Sequence, residues 1–245
     1  MPAQILLQPS YVLHHRPYRD TSRILELFTR DHGRVSVFAR GARGGGRKGA
    51  SPMSMLQPFN RLLVSWSAGA EAGTLTAVEF DGAYSILPPD RLVSASYLSE
   101  LLLKLFVRHD PHPDVFELYA QSIDALKASP DPLPVLRLFE KRLLEAIGYG
   151  LALTHDVATG APIDPGLEYH YRIEQGAVAV QGVAEGATLY SGTALLALAS
   201  ESLDDAATCQ EVRSLLRAAL DRVLDGCELK SRQVMLALRN RDRTR

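Results

Sequence analysis

Arg40, Arg43, Arg47 and Lys48 cluster around Gly41, Gly44, Gly45 and Gly46 in the run RVSVFARGARGGGRK, residues 34–48. Cations on a glycine-rich loop, with no acid nearby in sequence, suit an extended, irregular polyanion, and a nucleic-acid backbone is such a partner. Arg34 opens the same run. Arg16, Arg19 and Arg23 surround an earlier turn and extend the set toward one positive track. Phe38, Phe59 and Trp66 are candidate platforms for base stacking, although isolated strand aromatics more often belong to a core.

Other chemistries fit less well. The loop fails as a phosphate-cradling P-loop, because Arg47-Lys48-Gly49 stands where Gly-Lys-Ser/Thr is needed. His109-Asp110 has the form of a metal-binding pair, but it sits before Pro111 at a helix end without further ligands in its pattern. His14 and His15 are adjacent in a strand, so their rings should point to opposite faces. No serine lies in a nucleophile elbow and no cysteine has a nucleophile context, so no catalytic constellation is expected. Two rival functions stay open: a metal-dependent phosphohydrolase using His109 and Asp110, and a generic RNA-binding barrel.

The elements that must hold the arginines can be read from periodicity. Val35, Val37 and Ala39 alternate with Ser36, Phe38 and Arg40, the pattern of a half-buried strand. Ser10–His15, Thr21–Thr29, Arg34–Arg40, Leu56–Trp66 and Thr74–Phe80 are five such runs. They predict a small closed barrel over 1–80, either an OB-fold or an SH3-like barrel. A linker is expected at 81–90, where Leu87-Pro88-Pro89-Asp90 marks the change to helical spacing. Residues 91–245 then read as a mainly helical domain. Its helices centre on Leu98–Phe106, Val115–Lys127, Leu136–Ile147 and Val212–Val223, and a last one starts near Ser231 as N-cap. A β-hairpin is expected near 168–181, around Glu174-Gln175-Gly176.

With 46% hydrophobic residues in 245, the chain can bury a real core. No run is long and apolar enough to span a membrane, and MPAQILLQPS shows no signal-peptide pattern, so a cytoplasmic protein is expected. Cys209 and Cys227, eighteen apart on one apparent helix, are expected to be buried thiols. The net charge of -1 conceals an asymmetry: residues 1–80 hold ten Arg/Lys against five acids, and the remainder is acidic. Lys230 and Arg232 at a helix start oppose the macrodipole, so an internal acid or a ligand should sit there.

Several motifs taken together resemble the bacterial DNA repair and recombination family RecO. They are Tyr11-Val12-Leu13-His14, Arg16-Pro17-Tyr18, Thr21-Ser22, Leu27-Phe28-Thr29, Gly33-Arg34-Val35, Ala39-Arg40-Gly41-Ala42-Arg43 and Leu56-Gln57-Pro58-Phe59. Leu138-Phe139-Glu140, Gly148-Tyr149-Gly150 and Leu229-Lys230-Ser231-Arg232 continue the match. The resemblance implies an α+β protein, with an N-terminal OB-fold followed by a helical domain. It implies binding of single- and double-stranded DNA, annealing of complementary strands, and loading of the RecA recombinase onto DNA coated by single-strand DNA-binding protein, with RecR as partner. It also places the acidic tail of single-strand DNA-binding protein on the helix carrying Leu136, Arg137 and Phe139. Many members have a four-cysteine zinc site after the Gly-Tyr-Gly turn. Residues 153–160 here contain no cysteine, so the chain resembles the zinc-free branch, and no metal or other cofactor is expected. Arg16, Arg19, Arg23, Arg34, Arg40, Arg43, Arg47 and Lys48 are the expected DNA contacts.

Overall fold

The first strand, β1 (Gln4–Tyr18), is long because it serves two neighbours. Its second half pairs antiparallel with β2 (Ser22–Thr29), and its first half pairs antiparallel with β4 (Leu62–Ser67). Register shifts between Ile5 and Gln8 and between Val12 and His14 bend the strand so that one ribbon can join both sides of a barrel. Leu7 takes a left-handed φ of 48° inside the first shift. In this computed structural model the described residues are 3–18, 22–40, 52–69, 72–180 and 188–242, without side chains at 52–53 and 239–242. Arg19, Arg43, Arg47 and Lys48 fall outside them.

β3 (Gly33–Ala39) pairs antiparallel with β2 and parallel with β5 (Gly73–Phe80), through Val37↔Gly73 and Phe38↔Thr74. β5 pairs antiparallel with β4. The closed order β1-β2-β3-β5-β4 is that of the OB-fold, so the barrel is of that type rather than SH3-like. Val12, Leu25, Leu27, Val35, Val37, Leu62, Val64 and Trp66 fill its interior. Each fully buried aliphatic side chain of this kind contributes about 1.5–3 kcal/mol.

The segment expected as a strand from Leu56 does not start one. A short helix α1 (Pro52–Met55) precedes it, and Pro58-Phe59 forms a turn with Phe59 at φ 69°. Leu56 is fully buried against the barrel core. Phe59 and Trp66 are core residues too, which removes them as stacking surfaces.

Packing divides the chain into two compact units: residues 1–128 with 229–245, and residues 129–228. The change from strands to helices does fall at 81–91, where a 3-10 turn (Pro89–Arg91) leads into helix α2 (Leu92–Leu105). Nevertheless α2, α3 (Pro113–Ala128) and the last helix α7 (Lys230–Asp242) belong with the barrel. Tyr11 of β1 meets Phe116 and Tyr119 of α3, with ring centroids at 5.6 and 5.0 Å. Phe28 of β2 meets Phe106 and Phe116 at 6.2 and 5.9 Å. These contacts, made from the outside of the barrel, join the two helices to it.

The second unit contains α4 (Pro132–Ala146), a sheet of β6 (Glu168–Arg172), β7 (Gly176–Ala179) and β8 (Leu189–Ser191) in the order β7-β6-β8, then α5 (Gly192–Ala199) and α6 (Ala206–Leu224). Gly148, at φ 84°, ends α4 in a Schellman turn: Tyr149 N donates to Leu144 O at 2.8 Å and Gly148 N to Glu145 O at 3.1 Å. α6 stops at Asp225, φ 46°, and so Cys227 lies beyond the helix and is exposed, while Cys209 is buried. The expectation of two buried thiols on one helix holds only for Cys209. Among the described residues no helix is long and apolar enough to cross a membrane.

Candidate nucleic-acid interface

Among the described cations, Arg16, Arg23 and Arg40 lie toward one end of the barrel. Arg23 pairs with Ala39 and Pro17, and Val37 pairs with Gly73, so the β1–β2, β3–α1 and β4–β5 connections all leave near the end of β3. Arg16, Ile24 and Phe38 form one cross-strand row over β1, β2 and β3. Val35, Val37 and Ala39 point into the core, which turns Arg34, Ser36 and Phe38 outward. Arg16 and Arg40 are exposed and Arg23 is half-buried. Among the described residues none of the three has an acid within ion-pair distance. Burial, and then the charges of Arg23 and His14, hold His15 below its usual range. The His14 and His15 rings lie 6.5 Å apart and nearly parallel next to the register shift, rather than on opposite faces.

Arg34 has a different role. Its Nη1 donates to Leu103 O and Phe106 O, both at 2.6 Å, and its Nη2 lies 3.5 Å from Glu26 Oε2. The side chain is 13% exposed, and burial pushes its pKa down while Glu26 opposes that shift. Glu26 also accepts from Ser36 Oγ and from Arg108. On the backbone, His109 N donates to Arg34 O at 2.9 Å. At Gly33, φ 64°, an added Cβ would lie 2.2 Å from Asp110 O. The α2–α3 connection therefore covers this half of the outer β2–β3 face. Arg34 fastens it there, and these contacts take up its guanidinium. Arg61 is likewise held by Asp81 at 2.7 Å and Glu117 at 3.5 Å.

The other singled-out residues are also accounted for. His109 sits in the α2–α3 connection at φ 62°, and Asp110 accepts from His112 Nε2 at 3.0 Å. Among the described residues no three His, Cys, Asp or Glu side chains gather as a metal ligand set. The start of α7 meets an internal acid through its backbone rather than its cationic side chains: Glu100 of α2 accepts from Lys230 N and Ser231 N at 2.9 Å each, and from Ser231 Oγ at 2.6 Å. Ser231 is thus a donor to Glu100 rather than the expected N-cap. These hydrogen bonds hold the Glu100 carboxyl below its usual range against the opposing effect of burial.

Leu136, Arg137 and Phe139, expected to receive a partner, are buried in the second unit, where α4 packs against α6. Arg137 is 6% exposed in its side chain and pairs with Glu140 one turn on, at 3.1 Å. The charge of Arg137 is therefore met by Glu140 inside the second unit. In segment 153–163 the buried Asp156 holds the loop: its Oδ1 accepts from Ala158 N at 2.7 Å and Thr159 N at 3.1 Å, and its Oδ2 from Ala179 N at 2.8 Å. A zinc ion does not fit here, because the segment lacks thiols and its buried carboxylate is committed to backbone amides.

Residues 4–84 match the family model "Recombination protein O N terminal", and residues 88–233 match "Recombination protein O C terminal". The chain belongs to the Recombination protein O family. Its relatives include proteins named DNA repair protein RecO from Nitrosococcus oceani, 40% identical over 96% of this chain and 95% of the relative. Another from Methylococcus capsulatus is 42% identical over 95% and 94%, and one from Aromatoleum aromaticum is 39% identical over 94% and 95%. The family's two halves meet at 84–88, where strands give way to helices, whereas packing assigns α2 and α3 to the barrel.

Proposed function

We propose that this chain is a DNA repair protein that binds single- and double-stranded DNA, anneals complementary strands and helps a recombinase load onto DNA coated by single-strand DNA-binding protein. The observation that carries the reading is the sorting of the barrel arginines. Arg34 and Arg61 are held internally, while Arg16, Arg23 and Arg40 remain without an acid among the described residues, at one end of an OB-fold. Arg19, Arg43, Arg47 and Lys48 extend that set on sequence grounds. The names of the relatives point the same way.

Annealing requires no bond to be made or broken, so no catalytic residue is assigned. Two strands repel each other, and a protein that neutralises phosphates on both lowers that barrier. Phosphate contacts carry no base information, so little sequence preference is expected. RecR, the tail of single-strand DNA-binding protein and, indirectly, the RecA filament are the proposed partners, in the cytoplasm at the nucleoid. The test is annealing of two complementary labelled oligonucleotides by the full chain, in chelator and without nucleotide. Fast annealing supports the reading; a folded chain that anneals nothing overturns it. A preference for RNA strands over DNA would move the assignment to RNA binding.

A further inference from the structure

Tyr18 and Phe38 form an aromatic pair on the outside of the barrel, with ring centroids 5.2 Å apart and planes at 51°. Tyr18 ends β1 and is 37% exposed; Phe38 lies one residue before the end of β3, on the outward register, half-buried. Ile24, opposite Phe38 in the next strand, is buried next to the pair. Arg16 stands beside Ile24 in the same row, Arg40 follows β3, and Arg23 lies one position before Ile24. Most other aromatic rings of the barrel and its helices are committed to packing: Tyr11, Phe28, Phe106, Phe116, Tyr119 and Trp66 are all buried. The Phe80–Tyr84 pair also reaches solvent, with Tyr84 58% exposed, but Glu79 and Asp81 flank it in sequence and would repel phosphate.

An outward aromatic pair beside arginines that have no acid partner among the described residues combines the two components of sequence-tolerant single-strand recognition. The rings offer faces for unstacked bases, and the cations follow the phosphates between them. Duplex DNA keeps its bases stacked and can use only the cations. We propose that Tyr18 and Phe38 are a base-stacking platform that gives this site its preference for unpaired strands. The inference rests on the DNA-binding reading above and adds the determinant that separates single strand from duplex. In annealing, such a platform would hold bases splayed until the complementary strand replaces the protein as stacking partner.

The test uses the full chain and three probes of equal length: a dT oligonucleotide, an abasic strand with the same number of phosphates, and a duplex. Fluorescence anisotropy gives the affinities. Wild type should bind the dT strand more tightly than the abasic strand. Tyr18→Leu/Phe38→Leu should lose about tenfold or more on the dT strand and almost nothing on the abasic strand or the duplex. Tyr18→Leu alone spares the half-buried ring and should show a smaller loss in the same direction, while Tyr18→Phe and the acid-flanked control Tyr84→Leu should match wild type. Equal losses on all three probes, or equal wild-type affinity for dT and abasic strands, overturn the platform while DNA binding stands. A wild type that binds none of the three overturns the DNA-binding reading itself.

Discussion

Arg34→Ala separates the two kinds of arginine in this barrel. In sequence Arg34 belongs to the cationic run; in the structure its guanidinium donates twice, at 2.6 Å, to Leu103 O and Phe106 O, and lies 3.5 Å from Glu26. A hydrogen bond from a charged donor is worth about 1.5–3 kcal/mol. The variant leaves two carbonyls without that donor, and Glu26 keeps Arg108 and Ser36. With partial repair by water, the expected loss is about 3 kcal/mol. For a chain of this size that lowers Tm by about 6–12 °C. Thermal melting reads the loss, and a salt series of single-strand binding by anisotropy reads whether a phosphate contact has gone. The prediction is a lower Tm with an unchanged salt slope. If Arg34→Ala melts like wild type and its slope falls by about 0.7, the value for one phosphate contact on a single strand, then Arg34 touches DNA and the sorting is wrong.

Glu100→Gln should loosen α7 from α2, because an amide cannot accept all three donors offered by Lys230 and Ser231; hydrogen exchange at those two amides should rise well before global unfolding. The folded Glu100 pKa is lowered, so its contribution is present above the unfolded value near 4.3 and fades as the pH falls below it, and exchange at the same amides should accelerate in that acid range. The Glu201 carboxyl, drawn down to about 2 by the Arg142 hydrogen bond and then by Lys141, gives the second unit an acid transition of the same sign. Its stabilisation, about 1 kcal/mol after solvent screening, should be lost as the pH falls from about 4.3 toward 2, and Glu201→Gln should flatten that part of the stability curve. Gly33→Ala combines φ 64° with a Cβ placed 2.2 Å from Asp110 O, so it should displace the α2–α3 connection and cost several degrees of Tm.

Runs of strand-like residues mark part of each of the five barrel strands, because at least one face of each packs on the core. The start of β1 escapes that logic: the register shift between Ile5 and Gln8 turns Leu6 and Leu7 to solvent, and the alternation breaks. Helix α5, GTALLALA, hides because it is apolar nearly all round, although Ser191 caps it by accepting from Ala194 N. The cationic cluster is visible as composition, but its division is not. The carbonyls that hold Arg34 lie 69 and 72 residues away, and the acid that anchors Ser231 lies 131 residues away. The Arg137–Glu140 pair, by contrast, has the i, i+3 spacing of a helical ion pair and could have been read directly. Tyr18 carries no signal until β1 and β3 are folded and its ring meets Phe38.

The most direct test of the central claim is the salt dependence of single-strand DNA binding by wild type and by Arg16→Ala/Arg23→Ala/Arg40→Ala. Each phosphate contact contributes about 0.7 to the slope of log K against log salt, so losing three should reduce its magnitude by about 2. Arg16 and Arg40 are exposed, and none of the three has an acid partner among the described residues, so Tm should stay near that of wild type. A slope reduced by that amount in a fully folded protein is the predicted result. An unchanged slope would mean that DNA does not meet this end of the barrel, and the account would fail.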